Sequence, residues 1–259
     1  MKEIIKKWYN ILNFPKDYDD AFLKLLSESE LTPCTTDDYK STKDYKKDLL
    51  MSLYFCEATA QKTKERGLPY NVLLDTLSDI RKRVIAHYRE YNDIGMFGYE
   101  WTVHTHRLRL YKLGRLEFMP ADNKMEIHIP ADEPFNREIC IDSLKRSVDF
   151  FERYYPDFKY ETYSVDSWLL DDTLAKFLNS NSNILRFAQL FDKSKRTESD
   201  DAIHFVFSCN ATRENLSKYE IKNTFMQKLY DYVMSGGKLY RVYGEIKKTD
   251  IVSGKLELR

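Results

Sequence analysis

Residues 115–129 read RLEFMPADNKMEIHI, and the period of that stretch decides the fold. Apolar and polar residues alternate on both sides of a central turn, as in strands that show one face to a core. The middle run PADNK carries turn chemistry, so the stretch predicts a β-hairpin with Leu116, Phe118, Ile127 and Ile129 on buried faces. Pro130 ends it.

Before the hairpin the period is helical. Ile4, Trp8 and the pair Ile11 and Leu12 line one face of a first helix, and Phe22, Leu23, Leu25 and Leu26 form a second apolar group. Residues 31–41, with Pro33 and several Thr and Asp, read as a polar loop. Asp44 opens a long helix carrying Leu49, Leu50, Leu53 and Tyr54, which Gly67 and Pro69 stop. In the next helix Leu73, Leu77, Ile80, Val84 and Tyr88 recur at steps of three and four. A short helix packing Trp101 follows the loop NDIGMFG at 92–98. The change of period divides the chain into a helical domain, residues 1–110, and a sheet domain, residues 111–259.

After the hairpin, Asn136 caps a helix whose stripe is Ile141, Leu144, Val148, Phe151 and Tyr155, up to Pro156. Residues 159–165 are β-like, Asp171 opens a short helix, and Ile184, Phe187 and Phe191 mark another. The run KSKRTESDD at 193–201 reads as an exposed charged loop, and AIHFVF at 202–207 as the most apolar, central strand. A long helix from about Ser217 closes at Gly236 and Gly237, and residues 239–246 and 251–258 read as weak strands. The order predicts an α+β protein: helices first, then a mixed sheet with helices on its faces.

Composition narrows the function classes. Of 259 residues, 42% are hydrophobic and 14% aromatic, which is enough for a packed core. Lys+Arg and Asp+Glu balance at 41 each, which argues against a protein that coats nucleic acid. The four cysteines, Cys34, Cys56, Cys140 and Cys209, form no CxxC pair and read as reduced thiols of a cytoplasmic protein. MKEIIKKWYNILNF has helical spacing instead of a signal-peptide run, and no stretch reaches membrane-spanning length.

Several short motifs then occur in order: YKLGRLEF from Tyr111, MEIHIP, CIDSLKRSVDFFERYYPDF, SVDSWLLDDTLAKFLNSNSNILRFAQLF and DDAIHFVF. This series resembles a bacterial acyltransferase domain-containing family that joins a helical N-acyltransferase N-terminal domain to a GNAT-like C-terminal domain. In that family a strand reading LGRLQF precedes HIP, a helix ending in FF and a proline, SWLLDP and an SNI segment. The likeness covers residues 101–207 and is one of pattern before that. Glu117 stands where the family carries glutamine, and ADEPF follows HIP where the family tends to glycine.

The resemblance implies transfer of an acyl group from acyl-CoA or acetyl-CoA to a small-molecule amine, without metal. That chemistry needs an anion site for the pyrophosphate, donors for the thioester carbonyl and a route for the amine proton. The anion site falls at the start of the helix after the hairpin. Arg137 is the cation there, opposed by Asp132, Glu133 and Glu138, so a plain capped helix start fits as well. Ile129, Arg115, Asn183 and Arg186 complete the expected cofactor-binding set, the last two from the SNI segment, where capping competes with ligand contact. His128 suits a proton relay or a structural tie from strand to loop. Glu126 and Glu117 share its side by alternation, as general bases or as a solvated face. Ser167 or Tyr163 would protonate the departing thiolate, and Ser167 serves equally as a helix cap.

His104 and His106 resemble a metal pair, but no acidic or cysteine partner stands at ligand spacing. A second function class fits the chain too. It lacks the R/Q-x-x-G-x-G/A loop and has only 8 glycines, which favours a non-catalytic GNAT-like module that binds a small molecule or a protein. A splayed pair of parallel strands at the sheet centre, with an open cleft, would favour the enzyme.

Overall fold

A computed structural model of the protein describes residues 1–131 and 133–258. Asp132, one of the acids expected beside the anion site, lies outside the described residues. The chain divides into two compact units, Met1–Leu113 and Gly114–Arg259.

The first unit holds α1 (Lys2–Ile11), α2 (Asp19–Glu28), α3 (Tyr45–Glu65), α4 (Tyr70–Tyr91), α5 (Tyr99–His106) and the short strand β1 (Tyr111–Leu113). The Asp44 side chain caps α3 by accepting from the Lys47 N–H at 3.1 Å. Leu49, Leu50, Met51, Leu53, Phe55 and Cys56 are all buried, so apolar residues surround α3 on most of its circumference. That pattern makes it the central helix, packed against α1, α4 and α5. From α4 the stripe Leu73, Leu77, Ile80 and Val84 is buried in the same core. Trp8 is buried as well, and its indole N–H donates to Glu57 at 2.7 Å.

The second unit holds β2 (Leu116–Ala121), β3 (Lys124–His128), α6 (Arg137–Tyr154), β4 (Thr162–Ser167), α7 (Asn183–Ala188), β5 (Asp192–Glu198), α8 (Asp201–Val206), α9 (Thr224–Met234), β6 (Tyr240–Lys247) and α10 (Lys248–Val252). Its strands lie in the order β2-β3-β4-β6-β5. The β2–β3 hairpin is antiparallel, β3 and β4 are parallel, and β6 runs antiparallel to both β4 and β5. Parallel neighbours need a crossover, and α6 supplies it. Its stripe Ile141, Leu144, Val148 and Phe151 is buried. The Tyr163 hydroxyl of β4 lies 2.8 Å from Ser147 Oγ of α6. Tyr163 is in register with Met125, so Met125, Ile127, Phe118 and Val165 share the face toward α6.

Four expectations from the sequence need correction. Residues 202–207 are not a central strand: they form α8, with Ala202 and Ile203 in a satellite core beside Leu174, Phe177 and Leu229. A six-residue apolar run does not separate strand from helix, and acids at Asp200 and Asp201 suit a helix start. The charged run after Asp192 is not a loop but β5, every residue of it exposed. An edge strand needs only a backbone partner, and its charges keep the free edge from pairing further. Residues 251–258 form the end of α10 and a 3₁₀ turn instead of a strand. The long helix begins at Thr224, capped by Asn223, and not near Ser217. Ile129 falls just beyond β3 and is half-buried.

Candidate active site

The parallel ladder between β3 and β4 is short. It runs Lys124↔Thr162, Met125↔Tyr163 and Glu126↔Ser164, and there it ends. Both strands continue, but with other neighbours. β3 stays on β2 through Phe118↔Ile127 and Glu117↔His128, and β4 stays on β6 through Val165↔Gly244, Asp166↔Tyr243 and Ser167↔Val242. The facing edges at 127–128 and 165–167 therefore part at the centre of the sheet. Backbone groups on such edges need partners from outside the ladder.

Eight residues after β3, α6 begins beside this gap. Asn136 caps it, its Oδ1 accepting from the Ile139 N–H at 2.8 Å. Arg115, buried, lies against the intervening loop: its Nε donates to Pro134 O at 2.8 Å, and its guanidinium sits 5.1 Å from the Phe135 ring centroid. Its Nη1 is buried with no hydrogen-bond partner among the described residues. Burial pulls the Arg115 pKa below its ordinary value, the cost of desolvating a cation. Phe135 in turn packs on Phe187, at 4.9 Å between ring centroids.

The other expected cofactor residues are arranged differently. Arg137 is buried and its Nη2 donates to Leu256 O, which ties the first turn of α6 to the C-terminal turn. Arg186 pairs with Glu138 at 2.7 Å, both half-exposed. Asn183 is the first residue of α7, and the cap there is Ser182, whose Oγ accepts from Ile184 N–H at 3.3 Å.

On the sheet face away from α6, the structure brings Glu117, Glu126 and His128 together. Glu117 and His128 are cross-strand partners, and Glu126 precedes His128 by two residues on the same face. His128 Nε2 lies 3.7 Å from Glu126 Oε2. Glu117 is buried, at 3% exposure, whereas Glu126 is partly exposed. Burial raises the Glu126 carboxyl above the usual range, and the charge of Asp122 adds to the effect. Ser164 belongs to the same face and is buried.

Ser167 ends β4 at the gap, and its Oγ accepts from the Leu169 N–H at 3.2 Å, which caps a 3₁₀ turn at Trp168–Leu170. Tyr163 is not brought to this group. It faces α6, fully buried, and its hydroxyl lies 2.8 Å from both Ser147 Oγ and Tyr160 OH. Burial pushes its pKa far above the ordinary tyrosine value. In the first unit, His104 and His106 sit on α5, and His106 is wholly buried with Nδ1 3.0 Å from Thr59 Oγ1. Burial pulls the His106 pKa down to about 3. No group of His, Cys, Asp and Glu suited to a metal ion occurs among the described residues. No helix among them is long and apolar enough to cross a membrane.

A broad cleft of about 910 Å³ lies at the other end of the strands, lined by Lys124, Tyr160, Thr162, Glu245 and Lys248. Two of its cations are paired, Lys124 with Glu245 at 2.5 Å and Lys248 with Glu152 at 2.9 Å, and Lys159 donates to Pro156 O at 2.5 Å. Sequence reasoning missed the role of Phe135 under Arg115, for which the ADEPF run carries no periodic signal. It also missed the keystone at Asp171. This buried carboxylate accepts from Thr173 N–H at 3.1 Å, Tyr240 N–H at 3.2 Å and Arg196 Nη2 at 2.8 Å.

Residues 110–246 match the family described as GNAT-like C-terminal domain. No curated protein matches the chain. Among solved structures, the fold is similar to that of an acyltransferase in complex with decanoyl-CoA and teicoplanin. The TM-score is 0.76 at 20% identity, over 95% of this chain and 88% of that one. An acyltransferase in complex with decanoyl-CoA gives a TM-score of 0.74 at 23% identity, over 93% and 86%. A complex of an acyltransferase with CoA and 10C-teicoplanin gives 0.75 at 20%, over 93% and 87%. At these identities the likeness is one of fold.

Proposed function

We propose that this chain, which belongs to the GNAT-like C-terminal domain family, transfers an acyl group from acyl-CoA to a small-molecule amine. The observation that carries this reading is the parting of β3 from β4 beyond Glu126 and Ser164, beside the entrance of α6. An extended thioester arm laid along the parted edges takes up backbone hydrogen bonds that the ladder leaves open. Its pyrophosphate lies toward the first turn of α6, where free N–H groups and the helix dipole favour negative charge. Arg115 Nη1 adds a cationic donor from the adjoining loop. Ile129, Arg137, Asn183 and Arg186 form the rim of this donor site. Solved structures of similar fold hold CoA or decanoyl-CoA, which supports a CoA thioester, acetyl-CoA included, as co-substrate.

The amine arrives protonated and gives its proton to Glu126, with His128 at 3.7 Å to relay it and Glu117 to orient the imidazole. The freed nitrogen adds to the thioester carbonyl carbon, the C–N bond forms and the C–S bond breaks. Ser167, at the end of β4, hands its proton to the departing thiolate and regains one, through water, from the newly bonded nitrogen, which sheds its surplus proton as it becomes the amide. Tyr163 instead fastens β4 to α6 through Ser147. The scheme calls on no metal, since a thioester is already activated toward amines. The cytoplasm, with its CoA pool and reduced thiols, is the fitting location.

A non-catalytic module that binds a small molecule or a protein is the second reading, favoured by the ADEPF run, which offers no glycine for close phosphate approach. Thermal unfolding with CoA, acetyl-CoA and decanoyl-CoA tests the enzyme reading. Ligand at a hundred times its dissociation constant adds roughly 2.7 kcal/mol. No shift with any CoA species overturns it, and a shift without turnover of any amine moves the assignment to the module.

A further inference from the structure

Phe205 is 66% exposed, an unusual state for a phenylalanine, and its ring is stacked on Trp168 at 6.3 Å with 19° between planes. Trp168 directly follows Ser167, the last residue of β4 at the parted edge, and packs against the core cluster that holds Leu174 and Ile203. Two carboxylates flank the pair. Asp166 stands two residues before Trp168, on the face of β4 that carries Ser164 opposite Glu126. Asp201 stands one helical turn before Phe205 on α8. Both share one guanidinium: Arg241 Nε is 3.0 Å from Asp166 and Nη1 is 3.9 Å from Asp201. These three groups, two carboxylates and one guanidinium, together carry one net negative charge.

We infer that Trp168 and Phe205 form the acceptor platform, which takes a primary amine carrying an aromatic ring. The ring lies flat against Phe205, continuing the stack, and the ammonium faces Asp166 and Asp201 before its proton passes to Glu126. Aromatic stacking gives the preference for a ring, and the excess carboxylate draws the cation. Asp166 is two residues along β4 from the level of Glu126, about 7 Å, so the cation is held beside the gap. The identity of this ligand as an acceptor rests on the acyltransferase reading, but its binding does not.

The test is binding without CoA, so a failure of the acyl-CoA reading leaves it intact. Phenethylamine and hexylamine are titrated into the full chain by calorimetry and ligand-observed NMR. The expected result is roughly fivefold tighter binding of phenethylamine. Phe205→Ala and Phe205→Leu remove that advantage and Phe205→Tyr keeps it. Asp166→Asn weakens both amines alike. Phe205 is largely exposed, so these variants fold, and a thermal midpoint near that of the parent verifies it. Equal affinity for the two amines, or a preference that survives in Phe205→Ala, overturns the inference. A dimer that Phe205→Ala dissolves overturns it too, by giving the rings to a second copy of this chain.

Discussion

Glu126 on β3 and Ser164 on β4 are the last partners of the parallel ladder. Beyond them the strands follow different neighbours, so one register position separates a closed sheet from an open one. The acid at that position lies on the same face as His128 and Glu117, and the entrance of α6 lies one loop away.

Arg115 is expected to anchor the phosphates. Arg115→Gln should weaken CoA by about tenfold or more, the loss of a charge-assisted hydrogen bond worth roughly 1.5–3 kcal/mol. Arg115→Lys should fall between, since a point charge replaces a planar fork. Calorimetry with CoA checks this, and an unchanged affinity in Arg115→Gln removes the residue from the site.

Glu126 sets the acid limb of activity. Its carboxyl is raised above the usual range by burial and by Asp122, and it must be ionised to accept a proton. Activity should therefore fall as pH drops through that raised value, at higher pH than an ordinary carboxylate would give. Glu126→Gln should lower kcat by roughly 10²–10⁴ and erase this limb. A pH profile that keeps it points to another base.

His106 makes the first unit sensitive to acid. Its folded pKa is about 3 against an ordinary 6.5. Between those values the unfolded chain binds a proton that the folded chain refuses, so stability falls as pH drops from 6.5 toward 3. The slope is at most about 1.4 kcal/mol per pH unit. Denaturant titrations across this window should give a shallower fall for His106→Gln than for the parent.

Asp171 holds β6 and the turn after β4 through the amides of Tyr240 and Thr173. Asp171→Ala leaves both without this acceptor and should cost about 2–4 kcal/mol of unfolding free energy. Arg196→Ala should cost less, because Arg196 is half-exposed and water replaces its contact. Equal losses in urea melts would mean that the ion pair, and not the amide anchoring, carries the stability.

What could be read from the residues and what could not divide along a physical line. The stripe from Leu73 to Val84, the alternation from Leu116 to Ile127 and the caps Asp44 and Asn136 are local patterns. Side-chain spacing and capping chemistry determine them, and they stood in the sequence. The tertiary structure alone decided elements whose partners are distant. β5 pairs through backbone groups and so carries no apolar signal, while the AIHFVF run is too short for its period to choose between strand and helix. The gap between β3 and β4 is likewise invisible in sequence. It arises because β3 follows β2 through a tight hairpin while β4 follows β6, a long-range pairing that sets Thr162 opposite Lys247.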